Sequence, residues 1–338
     1  MERLDLYPML FEPNLHSTVW GGERIVRWKK LPESGSVRSV GESWEVSCVE
    51  GSPSVVKNGA MAGRLLPDVI AASPEEILGH SVAVNFNRQM PLLIKYIDAR
   101  QDLSIQVHPN DAMAQREHGK MGKTEMWYII DAEPGASIYS GFRKELTPDE
   151  YRRMVADGTI TDALARHEVK AGDVFFIPAG RVHAICGGVL LAEIQQSSDV
   201  TYRIFDYNRP GLDGRPRELH TELAARALDF NVETNYRTEY NVVPNKSCSV
   251  VENEYFSVTL TKADRPLLME RRGLDSFIVT MCIKGNCRIV IRSTREEIML
   301  REGFSCMIPA AVADYEIIPA EGISTLLEAF VNTGYKEL

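Results

Sequence analysis

Short runs of β-branched and aromatic residues, each halted by Gly, Pro, Asn or Asp, recur from one end of this chain to the other. Such runs suit a pleated, half-buried surface, and their close spacing is that of a sandwich or closed barrel. Residues 42–49, 92–97, 103–107, 126–130, 136–139, 174–178 and 189–195 are the clearest cases. Three stretches break the pattern. Within 67–80, Ser73 precedes Pro74, which marks a helix start. Thr147-Pro148-Asp149-Glu150 opens a second helix, with Thr147 as N-cap, Pro148 at the first helical position and Glu150 completing a capping box. The Ala/Leu/Glu-rich segment 218–229 reads as a third. Strands then resume, so the expected division is a domain over 1–235 and a second over 236–338.

An internal echo relates the two parts. Gly172-Asp-Val-Phe-Phe-Ile-Pro178-Ala-Gly-Arg-Val-His183 aligns without gaps on Gly303-Phe-Ser-Cys-Met-Ile-Pro309-Ala-Ala-Val-Ala-Asp314. Trp127 to Gly135 parallels Phe277 to Gly285 in the same way. The expectation is a second, degenerate copy of one β unit, with Asp314 where the first copy has His183 and no metal site of its own.

A chain of 338 residues has ample core for two such units. Its apolar fraction of 44% and charged fraction of 25% are those of a globular protein. A net charge of −9 argues against a nucleic-acid partner or an anionic membrane, since both would be repelled. No apolar stretch reaches the roughly 18–20 residues that span a bilayer. The first residues show no basic flank followed by an apolar run, so a cytoplasmic location is expected. Six cysteines without a Cys-x-x-Cys pair suggest reduced thiols.

The chemistry concentrates in Ser-Ile-Gln106-Val-His108-Pro, Lys-Thr-Glu125-Met-Trp-Tyr and the Pro-Ala-Gly-Arg-Val-His183-Ala loop. On a strand, Gln106 and His108 leave the same face. Glu125 opens an aromatic strand, where an unpaired carboxylate is costly to bury. A salt bridge with Lys123 or an arginine would answer that cost, and so would a metal ion shared with the two imidazoles. His183 alone could equally be a turn histidine.

The motifs Leu-Ser-Ile-Gln-Val-His-Pro-Asn-Asp (103–111), Gly-Lys-Thr-Glu-Met-Trp-Tyr (122–128), Pro-Ala-Gly-x-x-His-Ala (178–184) and Glu-Ile-Gln-Gln-Ser-Ser-Asp-x-Thr-Tyr-Arg-x-x-Asp (193–206) resemble those of type I mannose-6-phosphate isomerases. Trp20-Gly-Gly and Gly41-Glu-Ser-Trp-Glu fit the same family, and the resemblance runs from residue 5 to about 230. It implies a mainly β cupin fold of two jelly-roll barrels with a few short helices. It also implies one zinc ion per chain on Gln106, His108, Glu125 and His183, an active-site arginine at Arg203, and interconversion of mannose 6-phosphate and fructose 6-phosphate through an enediol. The chain lacks the large helical insertion of the longer members between His108 and His183, and so resembles the short bacterial form.

Aldose–ketose isomerisation needs a proton carrier between C1 and C2 and positive charge for the enediol oxygens. Glu193 is the first candidate carrier, with a structural ion pair to Arg203 or Lys123 as the competing role. Arg203 is a permanent cation suited to bidentate charge stabilisation. Lys123, Lys95, Arg209 and Ser104 are the remaining candidates for a local basic pocket that binds a sugar phosphate. Lys95 and Arg209 could equally form structural salt bridges, and Trp20 could either stack on the sugar or pack in the core. A monomer or homodimer is expected. Two histidines and a carboxylate also describe a non-haem iron oxygenase, and a non-catalytic sugar-phosphate-binding cupin is a further alternative. Gly122-Lys123-Thr124 is not a phosphate-binding loop, because the glycine needed five positions earlier is Glu117. His16, His80, His118, His167 and His220 read as packing or solvated residues.

Overall fold

In the computed structural model, residues 6–32, 39–312 and 314–332 are described. They divide into two compact units that are discontinuous in sequence. The first draws on 15–43 and 94–238; the second draws on the segment up to 14, on 44–93 and on 239 onwards. Where a single cut near 235 was expected, the chain thus also changes unit at 14/15, 43/44 and 93/94. No composition shift marks those crossings.

The first unit pairs two open sheets. One is six-stranded, in the order Leu15–Gly22, Val40–Val46, Leu92–Ala99, Val189–Gln196, Glu125–Ala132, Val174–Ile177. The other is five-stranded, in the order Tyr202–Phe205, Ile105–Val107, His183–Ile185, Ser137–Phe142, Leu164–Glu168. Between them lies a core of Trp20, Ile97, Trp127, Ile129, Phe175 and Leu191 from the first sheet and Ile138 and Ile185 from the second. Neither sheet closes on itself among the described residues, so each expected barrel is a two-sheet jelly-roll sandwich.

Alternation decides which side chains face inward. Ile105 and Val107 turn to the outer face of the five-stranded sheet, where Met113, Tyr151, Ala224 and Ala225 cover them. Gln106 is left facing the interior. The helix Pro148–Ala156, which supplies Tyr151, starts with the expected reciprocal cap: Thr147 N donates to Glu150 Oε2 at 2.8 Å and Glu150 N to Thr147 Oγ1 at 3.2 Å. Met113 comes from Asp111–His118, a helix capped by the Asn110 side chain that the strand pattern had hidden. The 218–229 segment contributes Thr221–Ala227. The 67–80 segment becomes helices Leu66–Ala72 and Pro74–Leu78, with His80–Asn85 following, all in the second unit.

The second unit repeats the plan with a six-stranded sheet, Met9–Leu10, Ser305–Ile308, Ile278–Lys284, Ser324–Phe330, Ser257–Ala263, Ser247–Glu252. Facing it is a four-stranded one, Leu267–Glu270, Asp314–Pro319, Cys287–Ile291, Glu297–Leu300. The echo is visible bond by bond. Gly172 N donates to Ile129 O and Gly303 N to Cys282 O, both at 2.8 Å. Arg181 N bonds Pro178 O as Val312 N bonds Pro309 O. Glu125 lies opposite Ile177, and Ile278 opposite Ile308. Ile129 therefore corresponds to Cys282, three residues along from the alignment that matched Gly135 with Gly285. The turn after Ala132 is longer than the one after Lys284, so matching the glycines displaces the strands.

This register shows what the second unit has where the first gathers its polar residues. His183 pairs with Gln106 across the strands, and Asp314 pairs with Glu270. Arg272 stands two residues beyond Glu270 as His108 stands beyond Gln106, and its Nε and Nη2 bond Asp314 Oδ2 at 3.0 and 2.8 Å. Ile278 takes the place of Glu125. A guanidinium–carboxylate pair replaces the imidazoles, and among the described residues no cluster of metal-binding side chains is found there.

Candidate metal centre

His108, Glu125 and His183 bring ligand atoms to within 4.8 Å of one another, and all three are buried. His183 is the first residue of its strand and lies opposite Gln106, while Glu125 is the first residue of the strand Glu125–Ala132. The Glu125 carboxylate bridges the two rings: Oε2 is 3.4 Å from His108 Nε2 and Oε1 is 3.4 Å from His183 Nε2.

Both imidazoles are oriented by backbone carbonyls. His108 Nδ1 lies 3.0 Å from Val200 O, and His183 Nδ1 lies 2.8 Å from Arg181 O. A carbonyl only accepts, so each ring carries its proton on Nδ1 and turns the Nε2 lone pair to the centre. That is the arrangement by which proteins fix a metal-ligating histidine. Burial, with the Lys123 charge, drives the His108 pKa down to about 3, and burial also lowers that of His183, so both rings are neutral. Burial disfavours the Glu125 charge, but the Lys123 ammonium 2.9 Å from Oε2 outweighs it and holds the carboxylate well below its usual range.

Gln106 Nε2 sits 3.3 Å from His183 Nε2, and turning the amide over would present Oε1 at the same place. Ser104 Oγ is 3.4 Å from Gln106 Oε1. Neither oxygen of Glu125 receives a hydrogen bond, although Lys123 Nζ approaches Oε2 to 2.9 Å and His108 Nε2 to 3.0 Å. Two neutral nitrogens, an amide and a buried anionic carboxylate fit a divalent metal cation.

Beyond this cluster the candidates separate. Glu193 lies opposite Trp127, whose Nε1 donates to its Oε2 at 3.0 Å, and Lys95 Nζ stands 3.2 Å from Oε1. Its ion-pair partner is Lys95, not Arg203 or Lys123. Lys95 also faces Glu42 at 3.6 Å. Burial and the Glu125 charge raise the Glu193 pKa despite the nearby lysines. Arg203 lies opposite Gln106, with Nη1 bonded to Glu218 O at 2.9 Å and its buried Nε without a hydrogen bond. Arg209 is engaged by Asp206, which also holds Arg217 Nε at 2.7 Å. Trp20 is buried in the core between the sheets, where no ring face is open to a sugar.

Two contributors had no distinct mark in the sequence. Trp127 anchors Glu193, and its ring packs edge-on to His183 at 5.4 Å between centroids. Gln196 accepts Thr124 N at 2.8 Å and donates to Asp111 Oδ1 at 3.1 Å, while Gly122 N donates to the same oxygen at 2.7 Å. Lys123 is thereby pinned on both flanks. The signal for Gln196 was its placement after Gln195 in a buried strand, where a polar side chain requires partners.

Comparison with known proteins agrees with this geometry. Residues 9–135 match the model of the phosphomannose isomerase type I catalytic domain. The mannose-6-phosphate isomerase of Streptococcus mutans is 33% identical over 310 residues, 91% of this chain and 94% of that protein. A probable mannose-6-phosphate isomerase of Bacillus subtilis, GmuF, is 34% identical over 92% of this chain and 96% of its own length. The crystal structure of a B. subtilis mannose 6-phosphate isomerase superposes with a TM-score of 0.84 at 31% identity, covering 95% of this chain and 99% of that one. Sequence, fold and a buried His/Glu/His cluster converge: the chain belongs to the type I mannose-6-phosphate isomerase family.

Proposed function

We propose that this chain interconverts mannose 6-phosphate and fructose 6-phosphate, with one zinc ion held by Gln106, His108, Glu125 and His183. The observation that carries the reading is the buried cluster in which two Nε2 lone pairs and the Glu125 carboxylate face one another, with the Lys123 ammonium beside them. When bound there, zinc supplies a Lewis acid that polarises the sugar's carbonyl and eases the negative charge of an enediol.

The remaining work falls to the chain. Glu193 is the proton carrier: as a carboxylate it takes the proton from C2 of the open-chain aldose and returns it to C1, while the hydroxyl proton of O2 passes to O1, so that the enediol collapses to the ketose. Its raised pKa moves it toward the operating range of a general base. Lys95, 3.2 Å from Oε1, steadies the charged form. Trp127 fixes the carboxyl group through Oε2. Arg203 and Lys123 supply permanent and buried positive charge for the enediol oxygens and for the phosphate. Arg209 is given a structural role, because its guanidinium is bound by Asp206. Among the described residues no helix is long and apolar enough to cross a membrane. The six free cysteines accord with a cytoplasmic setting.

The test is a coupled assay on mannose 6-phosphate with elemental analysis of the same sample. Removing the metal should abolish turnover and zinc should restore it. Full activity in metal-free protein would refute the proposal.

A further inference from the structure

Arg203 lies on Tyr202–Phe205, the edge strand of the five-stranded sheet. An edge strand presents backbone groups that no neighbouring strand satisfies. Here one residue satisfies both groups of Arg203. Its N–H donates to His220 Nδ1 at 3.2 Å, and His220 N donates back to Arg203 O at 2.7 Å. Glu218, two residues away, accepts the guanidinium through its carbonyl at 2.9 Å. The segment 218–220 therefore grips Arg203 by backbone and side chain together.

We infer that His220 is a positioning residue for Arg203, acting as a neutral acceptor at Nδ1. This rests on the proposed isomerase reading and on Arg203 serving that site. The chemistry is specific. An acceptor at Nδ1 places the ring proton on Nε2; a second proton would go to Nδ1, turn the acceptor into a donor facing another donor, and set a cation beside the guanidinium.

The groups facing the ring are few. Glu218 Oε2 is 3.9 Å from Nε2, and the Tyr202 ring lies at 6.1 Å, with its hydroxyl 2.9 Å from His118 Nε2. On the adjoining helices Glu222 is taken up by Arg152, and Arg116 and Arg226 by Glu117. Burial first, then the charges of Arg203 and His118, keep the ring below the ordinary imidazole pKa against the pull of Glu218. At neutral pH the acceptor is available; on acidification the bond from Arg203 N to Nδ1 is lost, and the two bonds to backbone carbonyls remain.

The experiment compares His220→Asn, whose Oδ1 can accept in place of Nδ1 and does not titrate, with His220→Phe, which keeps the ring and lacks the acceptor. Zinc-loaded protein is assayed on mannose 6-phosphate across pH, with the same substitutions in an Arg203→Lys background. His220→Phe should lower kcat/KM by about tenfold or more, since small misplacements of a charged group are costly. His220→Asn should stay within about threefold of wild type and carry its acid limb to lower pH. In the Arg203→Lys background His220→Phe should cost little more, because coupled residues are non-additive. Activity of His220→Phe within twofold of wild type, or equal losses in both backgrounds, would overturn the inference. Should His220→Phe not fold, the acid limb of His220→Asn decides: an unchanged limb overturns it. No turnover of mannose 6-phosphate by the zinc-loaded wild-type protein would instead fault the isomerase reading.

Discussion

Replacing Trp127 by Phe removes one N–H from a buried carboxylate and keeps an aromatic ring in the core. Trp127 Nε1 is the hydrogen-bond donor to Glu193 Oε2, at 3.0 Å, and Glu193 is only 3% exposed. A buried charged acceptor that loses its donor costs about 1.5–3 kcal/mol. For a unit of this size that corresponds to a fall in Tm of about 3–12 °C. The smaller ring adds a packing cost, and pH separates the two. The Glu193 pKa is raised in the folded chain, first by burial and then by Glu125. A carboxyl group with a raised folded pKa favours the folded state at low pH, and that contribution is lost as pH rises through the folded value. Losing the Trp127 donor raises the pKa further, so the extra destabilisation should appear near neutral pH and shrink on acidification. The packing cost does not titrate. Thermal unfolding of both proteins across pH measures the difference, and the acid limb of kcat/KM should move to higher pH in the variant. A Tm difference constant with pH, together with an unmoved acid limb, would refute the assignment of Trp127 and Glu193 to one proton-handling unit.

Three further outcomes follow. Arg203→Ala should lower kcat by about 10²-fold or more, the scale for losing a preorganised charge at a transition state, while circular dichroism stays unchanged; near-normal turnover removes Arg203 from the mechanism. In the second unit, Glu328 corresponds to Glu193 and is buried, bonded to Arg271 Nη2 at 2.7 Å and to the Tyr315 hydroxyl. Glu328→Leu strands that guanidinium and should cost about 3–5 kcal/mol in denaturant unfolding, whereas a loss below 1 kcal/mol would make the pair incidental. Burial works against the Asp206 charge, but the bonds from Arg217 and Arg209 prevail and depress its pKa. Their stabilisation is therefore complete above the unfolded aspartate pKa of about 3.9 and fades as pH falls through the lower folded value. Asp206→Asn should be less stable than wild type at pH 6, and the difference should shrink on acidification; parallel pH curves would contradict this.

Much of the site was legible because its geometry is local. The strand Ile105–Val107 carries Gln106 and leaves His108 at its end, a carboxylate opening an apolar strand marks Glu125, and the Pro-Ala-Gly loop delivers His183. What was hidden depends on contacts distant in sequence. The partner of Glu193 was expected to be Arg203 or Lys123, yet strand order brings Lys95 beside it. His220 looked like a packing residue because nothing local shows that a neighbouring edge strand needs an acceptor. The echo after Gly172 was readable without gaps, since its glycine and proline are unique markers. The echo from Trp127 slipped by three, because an apolar strand has none and the two turns differ in length. The division into units was hidden for a related reason: Val40–Val46 and Leu92–Ala99 read as ordinary strands, and no linker composition marks the chain's passage from one unit to the other.

X-ray absorption at the zinc edge on the purified, active protein tests the four-ligand centre most directly. One zinc per chain is expected, with a first shell of nitrogen and oxygen only at about 2.0–2.2 Å and imidazole scattering from two rings that falls to one in His108→Ala. Sulfur in the first shell, or a spectrum unchanged by His108→Ala, would contradict it.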